Sequence, residues 1–188
     1  MPLSLSWHSR DDAGRRRRSL RRCFRRADSG ATAVEFALIA PVFLGLLFGI
    51  LEVALTFWST QVLETAVANA AREIYTGTFT QGTEPTPLGA FKKKVCGNVR
   101  ALFNCNNLIR VDVRKVTNFA SATVTVPIRN GVFDTSDFKY DAPVKDTIYV
   151  VRAAMEYPVY VNLFGYRTGL ASGNRLIMAS AVFRTEPF

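Results

Sequence analysis

The stretch Gly30-Ala31-Thr32-Ala33-Val34-Glu35-Phe36, and the apolar run that follows it to Trp58, decides how this chain reads. Phe36 to Leu51 carries no charge, and the 23 residues from Phe36 to Trp58 are interrupted only by Glu52. At 1.5 Å per helical residue the run is roughly 35 Å long, enough to cross a ~30 Å hydrocarbon core with some tilt. Trp58 stands where an interfacial aromatic would anchor the far end. The near end holds Arg15 to Arg18, Arg21, Arg22, Arg25 and Arg26. Basic residues this close to a span stay on the cytoplasmic side. The expectation is a leader over 1–30, a transmembrane helix over 31–59 and an external domain over 60–188.

The charge distribution agrees with that division. Residues 1–30 hold nine arginines and three aspartates, a net +6 of the chain's +9. The remainder holds fifteen basic and twelve acidic residues. An Arg-rich run can serve nucleic acid, but next to a span its topology role explains it more simply. We expect no nucleic-acid partner and read the lipid bilayer as the first partner. A secretory signal fits poorly, because the apolar region exceeds the usual length and no small-x-small cleavage site follows it. The leader is poor in large apolar groups and reads as disordered. It contains His8, the only histidine, and Cys23.

Glu35 gives the junction its interest. A carboxylate near the start of a span is costly unless a positive group meets it. Cleavage after Gly30 would create one, the α-amino group of Ala31, largely protonated at neutral pH with a pKa of ~7.7–8.0. A glycine, four residues, then Glu-Phe before an apolar run resembles the processing site of type IV prepilins, in the form used by the tight adherence (Tad) pilus. The fuller stretch Gly30-Ala-Thr-Ala-Val-Glu-Phe-Ala-Leu-Ile-Ala-Pro41, with Gly49-Ile-Leu-Glu52 after it, resembles the TadE-like family of minor pseudopilins. The resemblance implies cleavage between Gly30 and Ala31 by a prepilin peptidase. It implies that Glu35 meets the N-terminus of a neighbouring subunit. The implied partners are the major Flp-type pilin, other minor pseudopilins and the inner-membrane assembly platform. The implied location is a bacterial inner membrane, with the C-terminal domain in the periplasm and the protein potentially incorporated in the pilus. Two alternatives are an uncleaved TadG-like assembly subunit and an unrelated bitopic binding protein.

Inside the span, Pro41 removes one backbone hydrogen bond, and Gly45 with Gly49 would permit close helix contact. Glu52 lies roughly 25 Å along a helix from Glu35. It either snorkels to the far interface or faces a protein partner in the membrane. The helix is expected to run on to about residue 76, because Leu63, Ala66, Val67, Ala70, Ala71 and Ile74 recur at helical spacing and Gly77 is a plausible C-cap.

Residues 78–86 read as a loop, and Leu88 to Phe103 as a second helix with Phe91, Val95 and Val99 on one side. Cys96 and Cys105 would pair in an oxidising periplasm; the alternative is two free buried thiols. Nine helical steps separate Cα atoms by roughly 13 Å, against about 4.4–6.8 Å in a disulfide, so pairing requires the helix to end between them, near Phe103-Asn104. Strands are expected over 108–116, 122–128, 148–155 and 176–183, with Val111 and Val113 alternating with charged Asp112 and Arg114. Asn130-Gly131 marks a turn and Pro158 a strand end or bulge. The expected fold is α+β and pilin-like: a long transmembrane helix entering a small external domain with a second helix and a three- to four-stranded antiparallel sheet. The external part has no histidine and no Gly-rich phosphate loop, and two cysteines fall short of a zinc ligand set. We read it as a non-enzymatic protein without cofactor or metal.

Overall fold

The computed structural model describes residues 28–97, 99, 105–162, 165 and 169–187. The leader up to residue 27, with His8, Cys23 and its arginines, lies outside the described residues, as do Leu102 and Phe103. The chain divides into two compact units, 1–47 and 48–188. Helix α1 runs continuously over Asp28–Tyr75 and contains Pro41. It is the one described helix long and apolar enough to cross a membrane.

Helix α1 ends where the sequence stops supporting it. Gly77 takes a positive φ of 70°, a conformation that glycine adopts without the clash a Cβ would bring. The Phe79 amide then donates to the Glu73 carbonyl at 3.0 Å, closing the last turn as a C-capping motif does. Helix α2 covers Pro87–Gly97. Proline suits its first turn, and the Thr86 hydroxyl caps it by accepting from the Gly89 amide at 3.1 Å. This helix stops at Gly97, earlier than the sequence reading placed its end. A short helix α3, Cys105–Leu108, follows.

A three-stranded antiparallel sheet has the order β1-β4-β5, with β1 at Arg110–Val116, β4 at Ile148–Tyr157 and β5 at Arg175–Arg184. Between β1 and β4 stands a small hairpin of β2, Ile128–Arg129, and β3, Val132–Phe133. Its turn is the expected Asn130-Gly131, with both residues at positive φ, 52° and 75°, the type I′ geometry that suits the strand twist. β4 ends just before Pro158, whose missing N–H removes a ladder donor.

Of the expected strand over 122–128 only Ile128, the first residue of β2, is paired. Asn118 turns the chain first: its side chain accepts from the Ser121 amide at 2.7 Å and starts a 3-10 turn over Phe119–Ser121. The edge of β1 is meanwhile taken by residues 139–141. The Val113 amide donates to the Lys139 carbonyl, and the Asp141 amide to the Val113 carbonyl, both at 2.8 Å. The alternating Val-Thr pattern thus meets no free ladder at that edge.

The core of the 48–188 unit lies on one face of the sheet. Val111 and Val113, Tyr149, Val151, Ala153 and Met155, and Ile177 and Ala179 form it with two helices. The helices contribute Leu63, Ala66, Val67, Ala70, Ala71 and Ile74 from α1, and Phe91 and Val95 from α2. Alternation along each strand puts these side chains on one face. The end of the chain is fastened here too: the Glu186 amide donates to the Tyr75 carbonyl at 3.0 Å, and Tyr75 meets Phe183 edge-on at 6.1 Å.

Candidate membrane and subunit-contact site

From Val34 to Trp58 every large apolar side chain is 39–72 % exposed. A soluble chain does not leave such a surface to water, whereas a lipid or protein environment makes it favourable. Glu35 is exposed among these residues. Gly30 sits near the start of α1, and a Cβ placed there would meet nothing within 4 Å. Among the described residues nothing crowds Gly30, although glycine weakens a helix by roughly 0.5–1 kcal/mol relative to alanine.

Glu52 differs from Glu35. It is 7 % exposed, and Thr56 and Ser59 beside it are 8 % and 4 % exposed. The steps of four and three residues place the three on one helix face, and Leu63, Ala66, Ala70 and Ile74 continue that buried face. The Thr56 hydroxyl donates to the Glu52 backbone carbonyl at 2.9 Å. That uses its single proton and leaves nothing for the carboxylate. Glu52 Oε1 is buried without a hydrogen-bond partner. Such an atom costs of order 1–3 kcal/mol, more if it is charged. The carboxylate is enclosed rather than extended to solvent.

Thr56 and Ser59 escaped the sequence reading, although their spacing from Glu52 was a usable signal. Asp112 escaped for a different reason. Its alternation with Val111 and Val113 placed it on the solvent face, yet it is fully buried. Arg152, directly opposite on β4, donates from Nε to Asp112 Oδ2 at 2.7 Å. The Lys139 amide donates to Oδ1 at 2.7 Å, and Arg114 Nε also reaches this carboxylate. Arg152 Nη1 donates to the Thr125 carbonyl at 2.9 Å, and its guanidinium lies 4.7 Å from the centre of the Phe138 ring. This network fastens residues 125 and 138–139 over the sheet face opposite the core.

Cys96 and Cys105 are joined as a disulfide, with Cα atoms 5.5 Å apart. The helix had to end between them, and it does so at Gly97, just after the first cysteine. Burial raises the Tyr149 phenol, which donates to the Ala142 carbonyl at 2.7 Å. Burial first, and the neighbouring Tyr149 second, raise Tyr140 to about 12; its hydroxyl is buried without a partner.

A cleft of about 490 Å³ opens between Arg110, Phe133, Glu156 and Asn174. Its charged groups are already engaged: Glu156 accepts from Asn174 Nδ2 at 3.0 Å and Ser172 Oγ at 3.3 Å, and Arg110 Nη1 donates to the Asn107 carbonyl at 3.1 Å. Among the described residues no three His, Cys, Asp or Glu side chains gather as a metal site.

Comparison with known proteins finds no matching curated protein and no matching solved structure. The family match is confined to the long helix. Residues 30–72 match the family model described as TadE-like protein, the family that Gly30 to Glu52 resembles and one associated with Tad pilus assembly.

Proposed function

We propose that the chain is a minor pseudopilin needed to build a Tad (Flp-type, type IVc) pilus. A prepilin peptidase removes residues 1–30, and the mature protein starts at Ala31. The helix lies in the bacterial inner membrane with its N-terminus on the cytoplasmic side, and the domain carrying the sheet is periplasmic. Its action is assembly: the apolar helix packs with pilin helices or beside the inner-membrane platform, and the external domain makes specific contacts.

The observation that carries this reading is the glycine at 30, five residues before Glu35, at the head of a helix whose 30–72 segment is TadE-like. The test is the N-terminal sequence and intact mass of membrane-extracted protein, with and without the host's prepilin peptidase. A peptidase-dependent start at Ala31, abolished by Gly30→Val, is expected. A retained Met1 in the presence of active peptidase refutes processing. Unchanged pili after deletion of the protein refute the pilus role.

A further inference from the structure

We propose that Glu52 is the acceptor for a lysine or arginine carried by a membrane-embedded helix of a different protein. The inference deepens the assembly reading above and rests on it. The starting point is Glu52 Oε1, the one carboxylate oxygen among the described side chains of α1 that is buried without a donor. The hydroxyl one turn on, that of Thr56, is spent on the Glu52 backbone carbonyl. Ionisable side chains at such depth pair with something, because an unpaired charge in a low-dielectric setting is costly. The 7 % of Glu52 that stays open is the approach left to a partner, and the apolar side chains around it, Val53 and Leu55 among them, are exposed for a helix to lie against.

Charge complementarity selects the occupant. From Ala31 to Ala71 the chain contains no Lys, Arg or His. A second copy packed in parallel and in register would set Glu52 against Glu52, and like charges repel. Arg72 is 20 residues further on, roughly 30 Å along the helix. The α-amino group of a processed copy, at Ala31, is 21 residues before Glu52 and roughly 30 Å away along the helix, so a copy in register brings no donor to Glu52 and another sequence is the source. An ammonium or guanidinium supplies charge-assisted hydrogen bonds, which are stronger than neutral ones.

The test uses the full chain in phosphatidylcholine vesicles with two synthetic Leu-rich transmembrane helices. One carries a single Lys near its outer end and the other a Gln in the same place. Association is read by energy transfer between labels. Wild type should bind the Lys helix roughly three- to thirtyfold more tightly than the Gln helix. Glu52→Gln and Glu52→Leu should abolish that preference. Both variants, alone in detergent, should melt at or above the wild-type temperature, since they remove an unpartnered carboxylate. Equal binding of the two helices by wild type overturns the proposal. So does a Glu52→Gln protein that melts well below wild type, which would make the carboxylate a support of the chain's own fold. Normal processing at Ala31 with no Lys preference sinks this proposal alone. A Lys preference in a protein whose deletion leaves pili intact sinks the pilus role alone.

Discussion

Replacing Asp112 by alanine should be among the most damaging single changes in the external domain. Asp112 is fully buried, and Arg152 opposite it keeps only 5 % of its side chain exposed. Removing the carboxylate strands a buried guanidinium, and breaking a buried pair from one side costs about 3–5 kcal/mol. Arg114, 30 % exposed on its side chain, can turn to water, so its share is smaller, about 1 kcal/mol or less. The Lys139 amide also loses its acceptor. Arg152 retains the Thr125 carbonyl and the Phe138 ring, which keeps the total near the lower half of the range. For a unit of this size each kcal/mol moves the midpoint by roughly 3–4 °C. The expected fall is therefore about 10–15 °C, measured by near-ultraviolet circular dichroism of the detergent-extracted chain. The companion variant is Asp112→Leu with Arg152→Met. It removes both charges together and should recover most of the loss, because a hydrophobic substitute for a buried pair is often neutral or better. A single variant within 2 °C of wild type, or a double variant no better than Asp112→Ala, would refute the reasoning.

Glu35→Gln should leave cleavage after Gly30 intact but impair incorporation; unchanged pilus output removes the proposed pairing with a partner's N-terminus. Cys96→Ser should lower stability by about 2–3 kcal/mol, the loop-closure value for a nine-residue separation, and reductant should destabilise wild type but not the variant. Tyr140 should make the domain alkali-sensitive. Its phenol holds its proton to about 12 in the folded chain, whereas an unfolded tyrosine releases it near ~10. The unfolded state binds fewer protons between those values, so this contribution is full below ~10 and is lost as pH rises towards 12. Tyr140→Phe should melt less steeply with pH across that window, and an unchanged slope counts against the assignment.

What could be read from the sequence was local. The long helix follows from an unbroken apolar run, and its end from Gly77. The buried stripe from Leu63 to Ile74 follows from helical spacing, the hairpin from Asn130-Gly131, and the strand end from Pro158. Each signal lies within a few residues of the feature it specifies. The tertiary structure decided the rest. Whether 122–128 pairs depended on which segment occupies the edge of β1, and residues 139–141 hold it at Val113. Asp112 reads as a solvent-facing charge until Arg152, 40 residues away, is placed opposite it. The difference between Glu35, exposed, and Glu52, enclosed, is likewise invisible in two similar apolar contexts. Burial depends on what packs against a side chain, and contacts between distant segments leave no periodicity in either of them.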